Sequence, residues 1–557
     1  MTVAEKAVDI LIENGVSDTF GIPGGVILPF LYAMEKREPE ISPHLNYHEQ
    51  MAGFAACGYA QAKGGLGVAY ATRGPGITNM LTCIAEAYKE SLPVLFVTAH
   101  GNRKQAGEKL KASQELDLVS SVSDFTKFAA NIEVLHDFEK CFRKACKIAM
   151  EEQRGPVFLD FYAPLFDEEV CAGSKDHYIK EEASCFDQSE LALYEIADAF
   201  KKASRPVLLI GEGLRRASDM NNVTKQIEAL GIPVLSSRCA QDIVCRSEQY
   251  FGYIGSHGTR YSNFILSKAD LLIVLGNRMA FPIGSKSFSP IINHAKIIRL
   301  DIDEDVFEQE IPNAKNFKVD VRLFFKLMQK TKFQVNKHTK WLSICKKIKA
   351  TLNEYDISVP VEEIIQFLEK QSLNCIYVCD VGNNEFWFAR AYEKVRPGGE
   401  ILCSKYFGTL GSALGRAIGA YYATKKKIIC ILGDQGFQYN LQELQFISHW
   451  KLPVQIVLLN NASSGMIVEH EKKIFGEKLV HCTLHSGYSI PNFRKIVEAF
   501  GIPYIAEANC CDQFDMVVLE IIFDEKTELS PNLPVGNACE DMYPPMETEL
   551  FAYISSL

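Results

Sequence analysis

Residues 425–461 read KKKIICILGDQGFQYNLQELQFISHWKLPVQIVLLNN. Three lysines lead into an apolar run, Ile428–Leu432, the pattern of a strand buried on both faces of a parallel sheet. Gly433-Asp434-Gln435-Gly436 breaks that run, and Phe437, Leu441, Leu444 and Ile447 then recur at helical spacing. A strand that ends in a glycine turn and enters a helix leaves free backbone N–H groups and the positive end of a helix dipole at the turn, where a diphosphate can sit. Leu452-Pro453 opens a second strand, Val454–Leu459, which delivers Asn460 and Asn461 at its carboxyl end. In a parallel sheet that end lies on the same side as Asp434, so a carboxylate and an amide oxygen can converge on one cation. Mg²⁺ takes such oxygen ligands in octahedral array and keeps other positions for phosphate oxygens. Asp434 alone has an ordinary reading as a helix cap. The ordered combination is much more specific.

The rest of the chain repeats the same alternation. Leu66–Ala71, Val94–Ala99 and Val157–Phe161 read as buried strands between helical periods, and Val207–Ile210, Val234–Leu235, Leu271–Leu275 and Ile297–Ile302 form a second series. Ile376–Cys379 and Val517–Ile522 complete the third. The expected fold class is α/β, with three doubly wound parallel-sheet domains over residues 1–168, 190–335 and 356–535 and a tail over 536–557. A polar stretch from Glu168 to Glu190 and a Lys-rich one from Lys330 to Lys349 separate them, and the tail after Glu525 has no period. A length of 557 residues with 47% hydrophobic content suits three such cores.

Composition removes several function classes. With 59 Lys+Arg against 69 Asp+Glu and a formal charge of −10, the chain lacks the basic footprint of a nucleic-acid binder. It has no uninterrupted apolar segment long enough to span a bilayer, and its first residues, MTVAEKAVDILIENGV, lack the pattern of a signal peptide. A cytoplasmic protein is expected. Seventeen scattered cysteines without a C-x-x-C pair argue against a disulfide framework and a zinc knuckle; Cys375 with Cys379, or Cys510 with Cys511, is the alternative of a redox pair.

Near the N-terminus, Glu49 precedes a helix of small and apolar residues, Met51 to Ala60. Its ordinary reading is complementing the helix dipole. His48-Glu49 also opens a zinc-protease pattern, but Ala52 stands where the second histidine is required. Gly408-Thr409-Leu410-Gly411 is a glycine-rich turn before the helical segment SALGRAIGAYYA, and close packing accounts for its glycines. A nicotinamide dehydrogenase would need G-x-G-x-x-G after a strand, and Gly211-Glu212-Gly213 alone does not supply it.

With these motifs in order the chain resembles the thiamine diphosphate (ThDP) enzymes, whose signature is Gly-Asp-Gly followed by Asn-Asn. Over essentially its whole length it is similar to the acetolactate synthase (acetohydroxyacid synthase) group. Phe20-Gly21-Ile22-Pro23-Gly24-Gly25, Thr72-Arg73-Gly74-Pro75-Gly76, Gln114-Glu115-Leu116-Asp117, Gly258-Thr259 and Gly465-Met466 carry that similarity. It implies a pyrimidine-binding, a central and a diphosphate-binding domain. It also implies Mg²⁺ on Asp434, the Asn461 side chain and the Ser463 main-chain oxygen. Glu49 would face N1′ of the aminopyrimidine, sharing a proton with that ring nitrogen. Leu410 would wedge the cofactor into its bent form, the Gly408 carbonyl would accept from the 4′-amino group, and Gln114 would orient a substrate carbonyl. Gln435 and Gly436 at the diphosphate turn, Asn383 and Asn384 in place of a Gln-His pair, and Gly465 and Met466 complete the implied cofactor site.

The implied reaction is decarboxylation of a 2-oxo acid, pyruvate by expectation, and carboligation to a second carbonyl. Implied too is a homo-oligomer, at least a dimer, with active sites between chains. Two alternatives stand beside it. A simple decarboxylase would release an aldehyde, although no His-His pair lies where such enzymes keep their proton donor. A non-catalytic homologue binding nucleotide or flavin follows if Gln435, where the signature has glycine, obstructs the diphosphate. His470 stands where the synthases carry a tryptophan and Ser113 where they carry an aromatic residue, so the acceptor stays open. So does FAD, because Met279-Ala280-Phe281-Pro282 replaces the flavin-associated segment.

Overall fold

The computed structural model describes residues 1–101, 114–170, 187–217, 219–279, 294–333, 338–353, 359–476 and 478–557. Its strands form three six-stranded sheets. The first contains β1 (Asp18–Gly21), β2 (Ser42–Leu45), β3 (Gly67–Tyr70), β4 (Val94–His100), β5 (Phe128–Ile132) and β6 (Val157–Tyr162), in the order β2-β1-β3-β4-β6-β5. The second contains β7 (Pro206–Ile210), β8 (Val234–Ser236), β9 (Tyr250–Tyr253), β10 (Leu271–Leu275), β11 (Lys296–Asp301) and β12 (Ala314–Lys318), ordered β12-β11-β10-β7-β8-β9. In the third, β13 (Cys375–Cys379), β14 (Glu400–Cys403), β15 (Lys427–Gly433), β16 (Val454–Asn460), β17 (Tyr504–Ile505) and β18 (Val517–Ile522) run β14-β13-β15-β16-β18-β17. Neighbours in the first two sheets pair in parallel, as do β13 with β15, β15 with β16, and β18 with both β16 and β17. The expected α/β class holds.

The first and third sheets share one strand order when each is numbered from its own first strand. Each therefore reverses direction between its first and third strands, β1/β3 and β13/β15. Open parallel sheets bind ligands at the carboxyl ends flanking such a point. The second sheet has the order 3-2-1-4-5-6 in its own numbering, that of dinucleotide-binding folds, when read from its β9 edge. At its switch point, however, a Cβ on Gly211 would clash with the Gly276 oxygen, and one on Gly213 would lie 2.8 Å from Gly276 Cα. Chain packing accounts for both glycines. Of the segment that stands in place of the flavin-associated one, Ala280, Phe281 and Pro282 lie outside the described residues.

By contact the chain forms two units. One comprises Met1–Glu182, Asn374–Glu385 and Leu402–Glu525; the other comprises Ala183–Leu373, Phe386–Ile401 and Lys526–Leu557. In the first unit, helix Glu49–Lys63 packs on helix Ala413–Thr424 through glycines: a Cβ on Gly419 would clash with the Ala55 oxygen, and one on Gly58 with the Arg416 oxygen. Buried residues of both helices and of the first and third sheets make one apolar core, including Phe54, Ala56, Leu414, Ile428 and Ile456. Two expectations need correction. The segment after Gly436 is not one helix: Asp434–Tyr439 and Glu443–His449 are separated at Asn440, whose φ of −143° is non-helical. The aperiodic tail ends in helix Thr548–Ser556, and Arg260 of the second unit donates to the carbonyls of Met542 and Pro544. The described cysteines are free thiols, so neither proposed redox pair is formed.

Candidate active site

The site is built where β13 and β15 end. Gly433, extended, caps the short helix that Asp434 begins, so Asp434 itself is the first helical residue. Its Oδ1 accepts from the Gln435 N–H at 2.7 Å and from the Tyr488 hydroxyl at 3.0 Å, while Oδ2 is buried without a hydrogen-bond partner. Burial pushes this carboxyl up to about 6, against the opposing pull of Tyr488 and nearby N–H groups. A buried carboxylate oxygen with no donor is costly unless something positive covers it. Ser463, whose main-chain oxygen is the implied ligand, is buried with its Oγ unpartnered, and Asn461, two residues before it, is buried as well. This donor set is all oxygen and suits a hard cation. Asn460, by contrast, is committed to the protein: its amide donates to Glu520 at 2.5 Å and its oxygen accepts from the Ala462 N–H at 2.9 Å.

Gln435 does not need the backbone conformation reserved for glycine, since it lies in the helix and is absent from the residues with positive φ. Its Oε1 accepts from Ser464 Oγ at 3.0 Å. The steric demand falls on Gly436, where a Cβ would clash with Asp380 Oδ2 and stand 3.5 Å from Leu410 Cδ1. Gly465 starts helix Gly465–Phe475, and a Cβ there would meet the amide nitrogens of Asn461 and Asn383 at 3.1 and 3.3 Å. Asn383 also donates to Glu469 at 3.0 Å. Asn384 turns inward and donates to the carbonyl of Asp380 at 2.8 Å, tying down the end of β13. Met466 is exposed, as is His470.

The turn 404–411 approaches from the strand side. Gly408 (φ +72°) and Gly411 (φ +84°) adopt left-handed conformations that favour glycine. Ser404 Oγ accepts from the N–H groups of Gly408 and Thr409 at 3.0 and 3.2 Å, and both oxygens of Asp380 accept from Gly411 N–H at 3.0 and 2.9 Å. Leu410 is half-buried between them. Asp380 is fully enclosed, and burial pushes its carboxyl up to about 7.

The first sheet contributes a second group. Glu49 is the first residue of its helix, two residues earlier than the apolar pattern suggests, with His48 as the cap that accepts from Gln50 N–H. Glu49 Oε2 accepts from Asn79 at 2.9 Å, and Oε1 lies 3.5 Å from where a Gly76 Cβ would be. Gln114 borders the same loop: its φ is +64°, and its Cβ would be 2.8 Å from one on Gly74. Next to it, Glu115 accepts from Arg73 at 2.6 Å and from Gly101 N–H at 2.8 Å. Ser113 lies outside the described residues. Glu49 and Gln114 therefore flank the loop after β3, while Asp434, Asn461, Ser463, Gly436, Leu410 and Asn383 gather at the ends of β13, β15 and β16.

Tyr488, Glu90 and Glu443 carried no local sequence signal, and the cue at Asp380, an acid directly after a buried strand, was not taken up; each of the four acts on a distant segment.

Comparison with known proteins agrees with this geometry. Residues 1–121 match the family described as "Thiamine pyrophosphate enzyme, N-terminal TPP binding domain", residues 193–328 its central domain and residues 380–528 its C-terminal TPP binding domain. A probable acetolactate synthase large subunit of Methanococcus aeolicus is 31% identical over 536 residues, covering 90% of this chain and 87% of the relative. The acetolactate synthase large subunit of Porphyra purpurea is 31% identical, covering 89% and 85%. The isozyme 2 large subunit of Escherichia coli (strain K12) is 29% identical, covering 90% of each. The three domain matches, together covering most of the chain, make this a ThDP-dependent enzyme. It belongs to the acetolactate synthase group of that family. Among the described residues, no helix is long and apolar enough to cross a membrane.

Proposed function

We propose that this enzyme decarboxylates a small 2-oxo acid, pyruvate in the first instance, and joins the resulting two-carbon unit to a second carbonyl compound. Bound ThDP supplies a nucleophilic carbon and an electron sink for the carboxylate's departure. The observation that carries the reading is the buried, unpartnered Oδ2 of Asp434 beside Asn461 and Ser463. Those three residues would hold Mg²⁺, and the Gly433–Gly436 turn would receive the diphosphate. Gly465 and Asn383 border the same site. Leu410, between the left-handed Gly408 and Gly411, would bend the cofactor, and the Gly408 carbonyl would accept from its amino group. Glu49 holds a proton against the pyrimidine nitrogen, and Gln114 orients the carbonyl that reacts. Met466, exposed in the first turn of helix Gly465–Phe475, would lie near the cofactor.

A homo-oligomer with sites shared between chains is part of this reading. The segments that carry the site residues expose Tyr47, Tyr406, Phe407, Tyr439, Met466 and Ile467. A second copy of the chain would cover them. The test is to mix purified protein with ThDP, Mg²⁺ and pyruvate, measure CO₂ and identify the product. An acetohydroxy acid or acyloin supports carboligation, acetaldehyde alone supports simple decarboxylation, and no CO₂ removes the reading. Glu49→Gln should lower turnover by about 10²–10⁴ while Mg²⁺ affinity is retained, since general acid–base catalysis contributes that much.

A further inference from the structure

Two carboxylates outside the implied catalytic set reach across the first unit in opposite directions. Glu443, fully buried, is the first residue of helix Glu443–His449 on the third-sheet side. Its Oε1 accepts from Tyr47 N–H at 2.9 Å and its Oε2 from the Asn46 amide at 3.0 Å, with the His48 N–H facing it as well. Asn46 is held in turn by Gly21 at the end of β1, and His48 caps the helix that Glu49 begins. Every residue from Asn46 to Glu49 is thus tied directly or through its neighbour to one carboxylate. Glu90 mirrors this. It follows helix Leu81–Lys89, where the helix dipole disfavours an acid. Yet its Oε1 accepts from the N–H groups of Lys405, Tyr406 and Phe407 at 2.7, 2.6 and 3.2 Å, the three residues leading into Gly408 and Leu410.

We propose that Glu443 and Glu90 are reciprocal positioning residues: each α/β half of the unit holds the other's reactive loop, Glu443 setting the rotation of Glu49 and Glu90 the placement of Leu410. The proposal rests on the reading of Glu49 as the acid opposite the pyrimidine. A carboxylate gathering two or three N–H groups has no rotamer left to explore without breaking them, so it fixes the loop as well as satisfying it. Misplacement of a catalytic group by about 1 Å can cost about 10²-fold in rate. That is the size of effect expected when either clamp is loosened. Glue between halves, without positioning, would alter stability and leave the chemistry intact.

The experiment uses full-length wild type, Glu49→Gln, Glu443→Gln and Glu90→Gln, each cofactor-free and loaded with ThDP and Mg²⁺. In the cofactor-free protein, amide hydrogen exchange across residues 44–50 should speed about tenfold in E443Q, the value of one lost hydrogen bond. In E90Q the same should occur across residues 404–409. In the loaded protein, exchange of the thiazolium C2 proton with deuterium at saturating ThDP should fall about 10²-fold in E443Q, with calorimetric ThDP affinity unchanged. Adding Asn46→Asp to E443Q lets the amide introduced at position 443 donate to the new carboxylate at position 46 and should restore C2 exchange. Should E443Q fail to fold, Asn46→Ala removes one arm alone and is read by the same two measurements. Wild-type C2 exchange in E443Q and E90Q overturns the proposal, as does a loss that only tracks melting temperature. If E49Q itself exchanges C2 like the wild type, the reading of Glu49 falls first and this proposal with it.

Discussion

Gly436 is the residue at the diphosphate turn that tolerates no side chain, because the Asp380 carboxylate occupies the place of its Cβ. Gln435 has a helical backbone and a hydrogen bond of its own to Ser464. Gln435→Gly, which restores the family signature, should therefore leave ThDP affinity unchanged by calorimetry and cost about 1 kcal/mol of stability as a glycine in a helix. Gly436→Ala should cost about 1–3 kcal/mol as overpacking and weaken ThDP as well. A marked gain in affinity from Gln435→Gly would revive the non-catalytic alternative. The placement of Asp434 and Asn461 at strand ends was legible in the sequence because strand, turn, helix and strand are local patterns. Asp434 and Asn461 are placed by the strands that end at them. Glu443 and Glu90 were not legible, since their partners Tyr47 and Tyr406 lie 396 and 316 residues away in the chain. Neither carboxylate differs in local sequence from an ordinary surface acid.

Between elements, the same distinction between local and distant determinants holds. The central strands β4, β10, β15 and β16 read clearly because they are buried along their whole length or nearly so. The peripheral β2 and β12, whose residues are mostly half-exposed or exposed, carry SPHL and AKNFK and show no apolar run. Glycines in the two packed helices looked like generic small residues, and only their contact shows why Gly419 faces a main-chain oxygen. Gly419→Ala should destabilise by about 1–3 kcal/mol in urea unfolding, more if the helices cannot separate. Asp380 at the end of β13 gives a pH prediction. Its folded-state value, about 7, lies above the ordinary carboxyl value of 3.8, so the fold favours its protonated form. The stability it contributes is complete below the unfolded value and is lost as pH rises through 7. Asp380→Asn, which does not titrate, should gain on the wild type by on the order of 2–3 kcal/mol between pH 5 and pH 8 in cofactor-free unfolding.

At the scale of the whole molecule, the open matter is which chain's Glu49 serves which chain's Asp434. Both residues belong to the same unit of one chain, so a site closed within the chain and a site shared with a second copy make different demands on mixed oligomers. The shared arrangement is the one proposed above, with exposed Tyr47, Phe407 and Met466 covered by a second copy. Glu49→Gln and Asp434→Asn should each be inactive alone. In a two-fold dimer built from one of each, one site combines both lesions while the other combines an intact Glu49 with an intact Asp434. Random assembly of equal amounts makes half the dimers mixed, so co-refolded protein should recover about a quarter of wild-type turnover. Sites closed within single chains would give none, because every chain then carries a lesion in its own site. Recovery should appear only when subunits exchange, and mixing pre-formed dimers too stable to exchange should leave both variants inactive.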